Sequence, residues 1–269
     1  MNGATGYRRR SPEQSAPPAF PTILPARRVG ALSLALPGRI YRSICFEIIP
    51  GLYTSGEVVA GPERLDRVGV PDDLRGLRVL DIGAWDGAYT FELERRGAEV
   101  VAFDIQDPHR TGFETARQII GSSATYRRGT VYDLSPETAG LFDAVLYFGV
   151  FYHLKNPLAG FANIHTVLHD GGTLYVEGAI LDTSHRVDET LHRHRDALEA
   201  VSDLPIAYFA PGDFHGHWSN WFVPNRACLE AWLGATGFAS IQLAHIGGNR
   251  AGGQAVKDAS FDPIEHEVL

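Results

Sequence analysis

The chain has 269 residues, 44% of them hydrophobic, enough to bury one large core and a small appended lobe. Its formal net charge is −8, its only lysines are Lys155 and Lys257, and its arginines are scattered apart from Arg8-Arg9-Arg10. Nothing in that pattern announces the basic face with which a nucleic-acid binder neutralises phosphates.

No apolar run is long enough to span a bilayer, so no membrane partner is expected. Cys45 and Cys228 lie far apart without CxxC or CxxH spacing, which points to a reduced, cytoplasmic chain with no structural zinc. Residues 1–28 are rich in Pro, Ser, Gly and Ala and are expected to form a disordered arm. Arg27-Arg28 before VGALSLAL resembles a twin-arginine leader only superficially: the apolar stretch is short and Arg39 and Arg42 follow. It is read as the start of a helix. Residues 29–77 alternate short apolar runs with Gly and Pro, and FEIIPGLYTSGEVVAGPERLDRV reads as a cap across the mouth of the core.

The segment Arg78 to Asp104, RVLDIGAWDGAYTFELERRGAEVVAFD, carries the strongest signal. A buried strand ends at Asp81-Ile82, Gly83 and Gly87 bracket a tight turn, and a helix runs from about Ala88 to Arg96. Gly97 closes it, and a second strand ends in Asp104, 23 residues after Asp81. An acid at that strand end can take both hydroxyls of a ribose. Ala84-Trp85-Asp86 stands where a dinucleotide fingerprint has its middle glycine, and no GxGxxG continuation offers a seat for a pyrophosphate. S-adenosylmethionine has a ribose and an adenine but no phosphate, and its ammonium suits an acidic turn. That cofactor is expected rather than NAD.

Farther on, FDAVLYFGVFYHLKNPLAGFANIHTVLHDGGTLYVEG reads as strand, loop, helix from about Pro157 to Leu168, Gly171-Gly172 turn and strand. With the preceding βαβ unit it resembles the class I S-adenosylmethionine-dependent methyltransferases. FGVFYHLKNPL, followed by GDFHGHWSNWFVPNRACLEAWLGATGF, is similar to the bacterial tRNA wobble-uridine carboxymethyltransferases and their shorter relatives, over about Phe46 to Ile246. The resemblance implies an α/β fold with a doubly wound, mostly parallel seven-stranded sheet. It divides the chain into arm, cap, a core at 78–246 with a lid-like insertion at 179–224, and a tail at 247–269. The last helix is expected at about Asn225 to Gly234 and the terminal strand at Ser240 to His245.

For cofactor contact the pattern nominates Asp81, Gly83 and Asp86 at the turn, and Asp104, Ile105 and Gln106 at the second strand end. In this fold the loop Val131-Tyr132-Asp133 usually holds the adenine, although Asp-x-Ser-Pro is also turn chemistry. Phe148, Gly149 and Tyr152 match positions that lie along the cofactor in the wobble-uridine family. There, the residue at the Tyr152 position helps bind the extra carboxylate of carboxy-S-adenosylmethionine, with a lysine and an arginine as partners. This chain has no lysine before Lys155, and Arg250 matches the arginine loosely. Burying a carboxylate without a paired cation is costly, so ordinary S-adenosylmethionine is the expected cofactor.

Methyl transfer is an in-line displacement at a sulfonium, in which alignment and water exclusion do much of the work. A base is needed when the acceptor is a weakly acidic hydroxyl or a protonated amine. His153, beside Tyr152, is the leading base, with a backbone-bonded structural histidine as its alternative. His215 and His217 could reach the same mouth, but without a third ligand the HxH pair predicts no metal. His192 and His194 read as a solvated face, and Trp218, Trp221 and Phe222 as an acceptor wall or plain core. The expected activity is methylation of a small-molecule or glycan-type hydroxyl or amine, in a natural-product or similar setting. Nucleic acid is not the expected partner, but the resemblance leaves tRNA open, and a non-catalytic cofactor-binding regulator is the rival from outside enzymology. Sequence leaves the oligomeric state open.

Overall fold

A computed structural model describes residues 44–50, 52–54, 58–59, 62–181, 193–210 and 219–261. His192, His215, His217, Trp218 and the 1–28 arm lie outside the described residues. Seven strands form one sheet: β1 (Arg78–Ile82), β2 (Glu99–Asp104), β3 (Thr125–Arg128), β4 (Phe142–Phe148), β5 (Leu168–Ala179), β6 (Phe238–Gly247) and β7 (Arg250–Lys257). Their spatial order is β6-β7-β5-β4-β1-β2-β3. β1 to β5 pair in parallel, and β7 is antiparallel to both β5 and β6. The chain moves from β1 outward through β2 and β3, then returns to place β4 on the other side of β1. That reversal opens a crevice beyond the carboxyl ends of β1, β2 and β4, where doubly wound sheets bind ligands.

The central strands read as continuous apolar runs because both faces are covered. Leu80, Ile82, Val101, Phe103, Val145 and Tyr147 pack on one face against Phe161 and Ile164 of helix α3 (Pro157–Thr166) and Leu229 and Leu233 of α4 (Arg226–Ala235). Val79, Val100, Ala144 and Leu146 face the other way, toward Leu93 of helix α1 (Ala88–Arg95) and Leu65, Val68 and Leu74. Alternation with period two thus supplies both layers of core. The Gly171-Gly172 turn is a bulge within β5: Phe142 pairs Leu168 while Ala144 pairs Thr173, so three extra residues loop out.

Three expectations change. The tail from residue 247 is not all tail: Arg250–Lys257 is an inner strand of the sheet. Its sequence, RAGGQAVK, has one β-branched residue and two glycines, a poor strand former by propensity. The glycines are there because of crowding, since a Cβ on Gly253 would lie 1.8 Å from the Gln242 carbonyl oxygen. The separation of cap from core at 77 also moves, because Leu65, Val68, Val70 and Leu74 belong to the core, and buried Arg96 ties this segment to α1 through Asp66, Glu92 and the Val70 carbonyl. Finally, the insertion is not simply a loop: its described parts include a helix at Arg195–Glu199 and an antiparallel pair, Ala207–Phe209 with Phe222–Pro224.

The cap segment has a described foothold beside the first turn. Glu47–Ile49 pairs antiparallel with Leu52–Tyr53, and Phe46 packs with Ala84, Ala88 and Phe91, in one cluster with Phe113 of helix α2 (Phe113–Ile120). No helix among the described residues is long and apolar enough to cross a membrane.

Candidate active site

The turn between β1 and α1 is built on the backbone. Gly83 N–H donates to the Phe103 carbonyl at 2.8 Å, and Gly87 N–H to that of Ala84 at 2.8 Å. Gly83 has φ 81° and Gly87 φ 91°, and a Cβ on Gly83 would lie 2.4 Å from Val150 Cγ2. Gly83 therefore lets this turn close against the segment after β4, drawing the two strand ends to one mouth.

Three acids converge there, all buried: Asp81, Asp86 and Asp104. Asp81 accepts the Thr90 hydroxyl at 2.5 Å. Burial, opposed by that hydrogen bond and reinforced by the charges of Asp104 and Asp86, pushes the Asp81 carboxyl up to about 7. Asp104 accepts the Trp85 N–H on one oxygen and the Gln106 N–H on the other, each at 2.9 Å. Burial raises its carboxyl too, with the backbone donors pulling the other way. The Gln106 carbonyl accepts the Tyr126 hydroxyl, and the exposed Ile105 offers its carbonyl to Arg128. Crowded, desolvated carboxylates favour a cationic ligand and oppose a pyrophosphate. The donor set thus fits S-adenosylmethionine, with its sulfonium, ammonium and ribose hydroxyls.

Val131, Tyr132 and Asp133 form a single 3₁₀ turn. Val131 is buried and Tyr132 exposed, its hydroxyl accepting the Asn156 N–H at 3.0 Å. Asn163 donates to the carbonyls of both Val131 and Tyr132, which fastens this loop to α3. Asp133 completes a capping box with Thr130, so its described geometry is that of turn chemistry.

Beyond β4, Phe148 stacks edge-on against Tyr89 at 5.2 Å. Gly149 takes φ 73°, and a Cβ there would stand 3.5 Å from the Tyr152 hydroxyl and 3.9 Å from Arg250 Nη2. Arg250, only loosely matched by sequence, is seated at this point: its guanidinium lies 5.7 Å from the centre of the Tyr152 ring. Its charge is already met, because the buried Glu177 takes its Nε and, at 2.7 Å, its Nη2. Sequence reading missed Glu177, although a lone acid inside the apolar run LYVEG was its signal. Missing the partner followed from reading Arg250 as tail.

Phe151, Tyr152 and His153 make a second 3₁₀ turn. His153 Nδ1 lies 3.0 Å from the Ser219 carbonyl oxygen and 3.0 Å from its hydroxyl. Trp221 N–H donates to the Tyr152 carbonyl at 2.8 Å, so the returning end of the insertion is strapped onto this turn. Trp221 also carries the Lys155 ammonium 4.7 Å from its ring and neighbours Phe209, which packs on Phe222. His194 is exposed, at the start of the Arg195–Glu199 helix. The structure thus draws together Asp81, Gly83, Asp86 and Asp104 at one lip and Gly149, Tyr152 and His153 at the other.

Residues 80–176 match the profile of a methyltransferase domain. The chain is 32% identical over 188 residues to the ubiquinone biosynthesis O-methyltransferase of Xanthomonas campestris pv. campestris, covering 70% of this chain and 72% of that relative. It is 28% identical over 183 residues to the tRNA U34 carboxymethyltransferase of Desulforapulum autotrophicum, covering 67% of this chain but spanning only 50% of that protein's length. Among solved structures, the N-terminal domain of EvdMO1 with SAH bound superposes with a TM-score of 0.64 at 21% identity, over 89% of this chain and 99% of that one, a likeness of fold. With this sheet order and this acidic mouth, the chain belongs to the class I S-adenosylmethionine-dependent methyltransferases, and S-adenosylmethionine is its cofactor.

Proposed function

We propose that the acceptor is a small molecule of metabolite or glycan type, methylated on a hydroxyl or amine, and that His153 is the base when the acceptor is a hydroxyl. The observation that carries this reading is the contact between His153 Nδ1 and the Ser219 carbonyl. A carbonyl only accepts, so in the tautomer that bonds it the proton sits on Nδ1 and Nε2 is the basic nitrogen. Ser219 and Trp221 hold the returning end of the insertion against the turn that carries this imidazole, which suits a small, enclosed acceptor. The O-methyltransferase relative methylates an oxygen by its name, and the net charge of −8 argues against a polyanion.

In the reaction, Nε2 takes the acceptor proton as the oxygen attacks the methyl carbon in line. When bound, S-adenosylmethionine would supply that methyl group, its sulfur keeping the carbon–sulfur electron pair as S-adenosylhomocysteine forms. We assign the ribose to Asp104, with Ile105 and Gln106 alongside, the adenine to the Val131–Asp133 turn, and the methionine end to Asp81, Gly83 and Asp86. Phe148, Gly149 and Tyr152 form the opposite wall.

The test is transfer of labelled methyl from S-adenosylmethionine to a panel of phenols, sugars and amines, with undermodified tRNA alongside. Once an acceptor is found, His153→Ala should lower turnover by about 10²–10⁴-fold while S-adenosylhomocysteine affinity holds. Label in a wobble nucleoside, with none in the small molecules, would overturn the acceptor class. Retention of most of the rate by the variant would leave alignment alone as the source of catalysis.

A further inference from the structure

Trp85 occupies the place in the turn where a glycine would be conformationally free, yet it is a bulky L-residue at φ 49°. Left-handed backbone is unfavourable for such a residue. Gly83 and Gly87, on either side, take positive φ without that cost. A strained residue persists where something else fixes it, and such residues cluster at ligand clamps. The Trp85 backbone supplies part of the reason, since its N–H orients Asp104 at 2.9 Å, but any residue could donate that bond. The side chain itself must hold the rest of the explanation.

The indole supplies it. Trp85 Nε1 is a buried donor with no acceptor among the described residues. An indole N–H donates only, and leaving it buried without a partner is costly. The turn therefore bears two unfavourable features in one residue, whose backbone stands in the lip where Asp81, Asp86 and Asp104 meet. An acceptor arriving with the ligand relieves the second and rationalises the first. We infer that the Trp85 indole N–H is a hydrogen-bond donor to an oxygen or nitrogen of the bound cofactor. The inference rests on the assignment of the acidic lip to S-adenosylmethionine.

Calorimetric titration with S-adenosylhomocysteine tests it in the full chain. Trp85→Phe keeps an aromatic ring and the backbone donor to Asp104 and removes the indole N–H together with the five-membered ring that carries it. Its affinity should fall by roughly 10-fold or more. A parallel titration with 5′-methylthioadenosine, which lacks the amino-acid end, locates the acceptor. Loss on both ligands places it on the adenosine, and loss on S-adenosylhomocysteine alone places it on the carboxylate. Equal affinity of variant and wild type for both ligands would overturn the inference.

Should the variant not fold, the wild-type protein supplies the second readout. It has four tryptophans, so ¹⁵N-indole labelling gives four resonances, assigned by Trp→Phe changes at the other three positions. The Trp85 N–H should move downfield and exchange more slowly with solvent on addition of S-adenosylhomocysteine. An unmoved resonance in a saturated protein refutes the inference, whereas failure of the wild type to bind S-adenosylhomocysteine would count against the cofactor assignment itself.

Discussion

At the scale of single residues, Asp81 makes the sharpest prediction. Its carboxyl is pushed up to about 7, first by burial and then by the neighbouring acids. In the free protein it is therefore largely protonated below neutrality, and it opposes folding progressively as pH rises from about 4 toward 7, because the folded state holds the proton that the unfolded chain releases. A cationic cofactor reverses the preference and favours the carboxylate. Binding of S-adenosylhomocysteine, through its ammonium, should release a proton below pH 7, with affinity climbing by up to tenfold per pH unit and levelling above it. Titrations in two buffers of different ionisation enthalpy measure the release directly. An affinity flat from pH 5.5 to 8 would show that Asp81 does not sense the ligand's charge. Asp104 is different in kind: its two oxygens are each held by a backbone N–H before any ligand arrives, so its orientation is set by folding.

Among the elements, β4 contains a built-in instability. Tyr147 is fully buried against Phe161, and its hydroxyl has no partner among the described residues. Tyr147→Phe should therefore stabilise the protein by about 1–3 kcal/mol, the cost of leaving such a group buried and unbonded. Urea denaturation of the two proteins gives the difference; a loss of stability would mean that the hydroxyl has an acceptor after all.

The same elements show how far sequence reasoning reaches. β1, α1 and β2 were legible because a buried parallel strand, a glycine turn and a strand-end acid each leave a local mark. Gly83 and Asp104 were found this way. β7 left no such mark, because its residues are dictated by the strands beside it: Gly253 answers to the Gln242 carbonyl and Arg250 to Glu177. The Ser219 contact with His153 spans 66 residues and has no sequence signature at all. Contacts made across the sheet, rather than along the chain, are what sequence alone leaves hidden.

For the whole molecule, charge and topology act together. A doubly wound sheet offers a crevice to many cofactors, and in the proposed site the three buried acids at its rim would select among them. S-adenosylhomocysteine at about 100 times its dissociation constant should stabilise the fold by about 2.7 kcal/mol, whereas NAD, with its pyrophosphate, should give no shift. A thermal melt with each ligand checks this in one experiment. Stabilisation by NAD would contradict the reading of the turn as hostile to phosphate.

The insertion leaves and rejoins the core at two fixed points: Leu181 N–H bonds the Pro224 carbonyl, and Trp221 N–H bonds that of Tyr152. Lengthening a surface connection between fixed ends costs only about 0.6 kcal/mol for each doubling of its length. Descendants of this chain are therefore free to lengthen, shorten or rewrite what lies between those ends while the sheet stays as it is. The residues around the acidic lip have no such licence, since they are distributed over β1, β2 and β4 and any shift in one strand moves the others. Divergence should accumulate in the insertion and stall at the acidic lip, so that one inherited methyl donor serves a succession of different acceptors.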